Sequence, residues 1–222
     1  MPLPEQKDTY INETAKQRVY MTVKDWIIEG QLQPNEKISD VEISEYFHVS
    51  RTPVREALQL LETQKLIKTY PGRATIVTEM ETDDINKWYL PMATLQELAV
   101  SIAVPKRKTE DIITLNRLNE HFLECLRNKN DTMNLLRADM EFHEKILKMS
   151  ENEYIVDFCN VLWIHIQRLE YKYFLNMVNE LSADEHKKII QAIERKDTLA
   201  ASVLVKDHWR RSAICVQQLY SK

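Results

Sequence analysis

Glycine occurs only twice in 222 residues, at Gly30 and Gly72, and that scarcity limits what the chain can fold into. Glycine ends helices and supplies the positive φ of tight turns. A chain that nearly does without it is expected to consist of long helices joined by polar loops. The same scarcity excludes glycine-rich phosphate loops. Neither a Walker motif nor a dinucleotide fingerprint occurs, and no G-x-S-x-G nucleophile turn is present. Hydrophobic residues make up 44% and charged residues 29%, as in an ordinary globular chain, and the length suits one large or two modest domains. No apolar run approaches the roughly 18 residues that span a bilayer. Residues 1–12 carry Pro2, Pro4 and mixed charge, unlike a secretory signal. Cys125, Cys159 and Cys215 are odd in number and widely spaced, which fits buried thiols in a reducing compartment. The expected location is cytoplasmic, with no membrane partner.

Net charge is −4, yet its distribution is uneven. Residues 51–73 hold five basic groups (Arg51, Arg55, Lys65, Lys68 and Arg73) against two acids (Glu56 and Glu62). The run from Ser50 to Leu58 has a polar first residue, then arginines at 51 and 55 with Pro53 between them. Proline is tolerated in the first turn of a helix, where its missing N–H has no partner to lose. On a helix Arg51 and Arg55 are about 40° apart, while Val54, Ala57, Leu58 and Leu61 fall on the other side. Taken alone, such a stretch is equally well a solvated charged face.

Its surroundings decide between the two. Val19, Val23, Trp26 and Ile27 repeat at helical spacing over about 12–29, with Gly30 placed to end the helix. Pro34-Asn35 marks a turn, and a short helix is expected near 40–47. The arginine-bearing helix then runs to about Thr63. Residues 66–70 and 74–78 read as strands around Pro71-Gly72-Arg73, which has hairpin-turn chemistry. Helix, short helix, turn, helix and hairpin describe a winged helix-turn-helix, whose second helix enters the DNA major groove by its N-terminal end. Arg51, Thr52 and Arg55 lie at that leading end and Arg73 at the wing tip.

Residues 12–78 resemble the DNA-binding domain of the GntR family of bacterial transcription regulators, most specifically through Ser50-Arg51-Thr52-Pro53-Val54-Arg55-Glu56-Ala57-Leu58. The resemblance implies that Ser50, Arg51, Thr52, Arg55 and the wing Gly72 contact a double-stranded operator. The family usually has glycine where this chain has Asn35 and Lys65. Val41 stands where one subgroup has a further DNA-contacting arginine, so that contact is not expected here.

Residues 1–11 read as a flexible tail and 79–84 as an acidic linker. Residues 85–222 read as helices forming a bundle with its own core. Trp88, Leu95, Leu98 and Ile102 mark its first helix, which Pro91 is expected to kink or delay. Pro105–Lys108 reads as a loop. Helices follow from Thr109 and over about 132–149, 153–178, 182–195 and 197–220.

Asp139 and His143 are four apart on a face shared with Leu135, Phe142 and Ile146. His186 shares a face with Ile189, Ile190 and Ile193, and His208 a stripe with Ala200, Leu204, Arg211 and Cys215. A single histidine on an apolar face is more often a hydrogen-bonded core residue than a ligand. Convergence of all four on one divalent cation would satisfy them together.

Residues 80–220 resemble the all-helical FCD effector domain of the FadR-like GntR subgroup, through Asp139-Met140-Glu141-Phe142-His143, Ser150-Glu151-Asn152, the run from Glu185 to Ile193 and Asp207-His208-Trp209. The resemblance implies a divalent metal on Asp139, His143, His186 and His208, beneath a small-molecule effector pocket. Zinc, nickel and manganese all suit that donor set. Members that sense organic acids carry an arginine in the first bundle helix, and Trp88–Ala93 has none.

The expected fold is therefore mainly α, with an N-terminal winged helix-turn-helix carrying a small β-hairpin and a C-terminal all-α bundle. The expected function is a ligand-responsive repressor that binds a palindromic operator as a homodimer, since one recognition helix reads few base pairs. A metal-dependent enzyme on a helical bundle and a ligand-free DNA-binding protein are the alternatives, and no enzymatic activity is expected.

Overall fold

The computed structural model describes residues 14–220 except 71, 73, 82, 129–130 and 178–179; at 172–177 and 180 it describes the backbone alone. The chain divides into two compact units, with the boundary between Met80 and Glu81.

In the first unit, α1 (Ala15–Ile28) starts at Thr14, whose side chain and that of Gln17 form a reciprocal capping box. Val19, Val23, Trp26 and Ile27 are buried as their spacing predicts. After Gly30 come β1 (Lys37–Ile38), α2 (Asp40–Tyr46) and α3 (Arg51–Thr63). Ser39 caps α2 by accepting the Glu42 N–H at 3.3 Å. α3 buries Val54, Ala57, Leu58 and Leu61, so the apolar side read from the sequence is the one that docks. β2 (Ile67–Tyr70) and β3 (Ala74–Val77) form the wing.

The expected two-stranded hairpin is a three-stranded antiparallel sheet in the order β1-β3-β2. Lys37 pairs with Ile76 and Ile38 with Thr75. A strand of two residues shows no alternation for a pattern to detect. Its pairing comes instead from the preceding turn, where Asn35 N–H donates to Val77 O at 2.9 Å and Val77 N–H to Glu36 O at 3.0 Å.

The second unit contains, among the described residues, α4 (Asp84–Lys106), α5 (Thr109–Arg127), α6 (Thr132–Met149), α7 (Glu153–Met177), α8 (Glu180–Glu194) and α9 (Thr198–Tyr220). α4 departs from expectation in three ways. It is not delayed by Pro91, which lies on the exposed side, as does Lys87, whose carbonyl loses its partner and is open to water. It also continues through Pro105 to Lys106, because a proline in the last turn forfeits a single helical hydrogen bond. Its buried face is Ile85, Tyr89, Met92, Ala93, Gln96, Ala99, Val100, Ala103 and Val104. Leu98 is exposed instead. Four of its nine members are alanine or valine in the last two turns, so the largest aliphatic side chains are not the ones that mark it.

α9 is displaced in the same sense. It buries Ala201, Val205, His208, Trp209, Ala213 and Val216, while Ala200, Leu204, Arg211 and Cys215 are only partly covered. α7 is buried on every side from Trp163 to Glu170, and it packs on α4, α6 and α9. A helix enclosed all round is expected to be apolar. This one brings His165, Gln167, Arg168 and Glu170 into the interior.

Candidate DNA-binding surface and metal centre

The helix-turn-helix places Arg51 and Arg55 on one exposed face at the start of α3, their side chains 50% and 63% exposed. Ser50 occupies the N-cap position and is exposed, and its side chain makes no capping hydrogen bond. Thr52 is exposed beside it. The turn between α2 and α3 runs through His48 at φ +52°. Gly72 lies in the wing turn at φ +70°, and a Cβ there would meet nothing within 4 Å. The turn needs glycine for its backbone angle, and the open space beside it leaves room for a close neighbour. Arg73 lies outside the described residues.

Both arginines converge on one carboxylate that spacing gave no reason to select. Asp40, in the first turn of α2, accepts from Arg51 Nε and NH2 at 3.2 and 2.9 Å on Oδ2, and from that NH2 at 3.0 Å on Oδ1. Arg55 Nε donates to the same Oδ2 at 2.7 Å. The Arg55 hydrogen bond, followed by those from Arg51 acting against partial burial, holds the Asp40 carboxyl below its usual range.

In the bundle, three imidazoles meet. Ring nitrogens of His143 (α6), His186 (α8) and His208 (α9) all lie within 4.8 Å of one another. His143 Nε2 is 3.2 Å from His208 Nε2. Asp139, one turn before His143, brings Oδ2 to 3.9 Å from His143 Nε2 and Oδ1 to 3.6 Å from His186 Nε2. The structure thus brings together the three histidines selected by spacing, with Asp139 beside His143 and His186.

Two groups the spacing did not reveal orient the rings. His186 Nδ1 donates to Asn119 Oδ1 at 3.1 Å, and Asn119 in turn donates to Ala183 O at 3.2 Å. His208 Nδ1 donates to Glu185 Oε2 at 2.7 Å, where Arg211 also donates at 2.6 Å. Because both acceptors can only accept, both imidazoles carry their proton on Nδ1, and each presents the Nε2 lone pair to the centre. A polar residue inside the apolar stripe of Leu115 and Phe122 was the available signal for Asn119. Glu185 had none.

Electrostatics leave the centre short of a cation. Burial pushes His143 and His186 well below the usual imidazole range, and neighbouring imidazoles push them further. Burial pushes the Asp139 carboxyl up to about 6, against the pull of His208 and Arg211. Despite its own desolvation, Glu185 is held below the usual range by its hydrogen bonds from His208 and Arg211. His186 Nε2 and His143 Nδ1 are buried with no hydrogen-bond partner among the described residues.

A divalent ion fits this donor set. Ligand atoms about 2.1 Å from one ion stand about 3 to 3.5 Å apart. The 3.2 to 3.9 Å contacts given above are near that, and the imidazoles, whose nitrogens span up to 4.8 Å, would draw inward on the ion. His186 Nε2, an aimed lone pair with no proton to accept, is the atom such an ion would satisfy.

His165 is buried and stacks on Trp88 with ring centroids 4.9 Å apart. His121 is exposed. Trp163 and Trp209 pack edge to face at 5.6 Å, and each also lies beside His143. Tyr89 and Glu170, which spacing missed, form a buried pair joined by a 2.7 Å hydrogen bond.

A winged helix with an exposed arginine pair, joined in one chain to a helical bundle with a buried histidine cluster, defines a DNA-binding regulator with a helical second domain. Residues 15–77 match the family described as bacterial regulatory proteins of the gntR family, and residues 91–211 match the FCD domain. The chain belongs to the GntR-family transcription regulators that carry an FCD domain. It is 27% identical to the uncharacterised HTH-type regulator YdhC of Bacillus subtilis, over 86% of this chain and 85% of that one. Against the HTH-type transcriptional repressor RspR of Escherichia coli it is 24% identical, with 96% and 94% covered. Among solved structures, Escherichia coli McbR/YncC has the same fold, with a TM-score of 0.77 at 21% identity over 94% of this chain and 100% of that one. No helix among the described residues is long and apolar enough to cross a membrane.

Proposed function

We propose that this regulator is a cytoplasmic repressor that binds a palindromic operator as a homodimer and is controlled through a metal-containing effector pocket in its bundle. The observation behind the DNA half is the exposed pair Arg51 and Arg55 at the leading end of α3. In a winged helix that end enters the major groove, where a guanidinium can donate to both guanine O6 and N7. Ser50, Thr52, Gly72 and Arg73 would add contacts to the backbone and the wing groove. That relatives such as RspR are named as repressors supports the direction of control.

The homodimer draws support from apolar side chains left in water. Tyr154, Phe158 and Val161 are 69%, 62% and 47% exposed on α7, and at spacings of four and three they share a helical face. Contiguous apolar surface of this kind marks association sites.

In the bundle, His143, His186, His208 and Asp139 would hold zinc, nickel or manganese, with Asn119 and Glu185 orienting two of the imidazoles. An ion that takes six ligands, as nickel and manganese do, would keep two positions open for water or a chelating effector, whereas a tetrahedral zinc would be filled by the four side chains. A metal or effector that binds one dimer arrangement better than another shifts the population towards it, and with it the spacing of the two winged helices.

Operator selection from a random DNA pool, run with and without metal, tests the reading. A palindromic sequence enriched by the chain, with affinity that responds to chelation, is the expected outcome. Operator affinity unchanged by chelation and by every ligand of the bundle would sink the coupling.

A further inference from the structure

Asp40 holds two arginines, and the way it holds them is selective about which donors it uses. Arg55 gives it Nε alone at 2.7 Å, which leaves both terminal nitrogens outside the contact. Arg51 gives it Nε and NH2, the side edge of its guanidinium, and leaves NH1 outside. Both arginine side chains remain at least half exposed, whereas Asp40 is 22% exposed. The carboxylate therefore sits behind the guanidiniums, and their outer edges face solvent on the surface assigned above to DNA.

Stability does not account for this arrangement. Ion pairs of such exposed arginines contribute little to folding, and Asp40 already has a favourable place in the first turn of α2. Reading a guanine edge, in contrast, demands a fixed guanidinium plane, because both donors must meet O6 and N7 together. A long arginine side chain that turns freely meets phosphates as readily as bases, and phosphates are alike at every sequence.

We infer that Asp40 is a positioning residue for sequence discrimination: it buttresses the Arg51 and Arg55 forks from behind, so that they meet base edges and are withheld from indiscriminate phosphate pairing. This rests on the DNA-reading surface proposed above. It also suits an acidic chain whose basic patch is small, because each arginine must then be used for information as well as for charge.

The test compares the full-length wild type with Asp40→Asn, Asp40→Ala and Asp40→Glu. Affinities are measured for a selected operator and for scrambled DNA at several salt concentrations, beside the thermal midpoint of each variant. Asp40→Asn and Asp40→Ala are expected to bind scrambled DNA more tightly. Their scrambled-DNA salt slope should steepen by about one phosphate contact, and the operator-to-scrambled ratio should fall about tenfold. Asp40→Glu, which keeps the carboxylate, should recover part of that ratio. An equal rise on both DNAs would mean that Asp40 is a plain repelling charge, and overturns the inference. So does an unchanged ratio in a variant with an unchanged thermal midpoint. If the wild type enriches no sequence at all, the DNA-reading surface itself is what fails.

Discussion

At the scale of single residues, this chain fits side chains into backbone positions that ordinarily favour glycine. Asn35, His48 and Lys65 have φ of +65°, +52° and +60°. Asn35 is one of the few side chains that enter that region at little cost, and its amide donates to Glu79 Oε1, 44 residues further along the chain. Lys65 has no such compensation, and its aliphatic stem meets the full Cβ penalty. Lys65→Gly is therefore expected to stabilise the first unit by about 0.5 to 1 kcal/mol, after the entropy that glycine adds to the unfolded chain. A rise in the urea midpoint at unchanged slope would show it. The residues that orient the imidazoles give a second expectation. Asn119→Leu and Glu185→Gln should each weaken metal affinity about 10- to 100-fold, measured by competition with a chromophoric chelator. Equal affinity in wild type and both variants would show that ring orientation does not matter here.

At the scale of elements, α7 shows two opposite faces of one physical rule. Its middle is enclosed on all sides, and its first turns leave Tyr154, Phe158 and Val161 to solvent. If a second copy covers that stripe, Phe158→Glu places a charge in an apolar contact and should yield a monomer by light scattering, with helical content kept. A dimer of wild-type strength in that variant would move the interface elsewhere. The phase of α4 and α9 belongs to this scale too. Helical periodicity locates a helix well, but its buried face follows bulky residues only when the partner stands at ordinary distance. Here the small side chains of Ala93, Ala99 and Ala103 belong to the buried face of α4, which packs on α6, α7 and α9, and that stripe lies beside the one the leucines suggest.

At the scale of the whole molecule, pH acts on the bundle through Glu170. Burial, reinforced by the charge of Asp139 and opposed by the Tyr89 hydrogen bond, pushes its carboxyl from about 4.5 up to about 8. The folded chain therefore holds a proton that the unfolded chain releases near pH 4.5, and the stability this confers is lost as pH rises from there through about 8. For the metal-free protein, Glu170 is expected to lower the unfolding free energy by a few kcal/mol across that window. This acts against the rise that buried His143 and His186 give below about pH 6.5, so the fall is read between about pH 6.5 and 8. Glu170→Gln, a neutral side chain of the same shape, should flatten the slope in urea melts at a series of pH values. An identical slope in the variant would place the pH dependence elsewhere.

The order and kind of the long helices and the winged helix-turn-helix were legible in the sequence, as was the placement of Asp139, His143, His186 and His208 on apolar helical faces. Each of these is local, or repeats with a helical period, and the run from Ser50 to Leu58 is specific as it stands. Only the tertiary structure decided the rest. That the three histidines meet was settled by packing. β1 exists because a turn delivers two residues to β3, and Asp40 meets Arg51 and Arg55 across 11 and 15 residues of chain. Asn119 and Glu185 reach histidines on other helices, and Glu170 finds Tyr89 across 81 residues. Such contacts depend on where elements pack, and no period along the chain records that. The pair Arg51 and Arg55 marks the division: helical spacing placed both guanidiniums on one face, and the fold put the Asp40 carboxylate behind them.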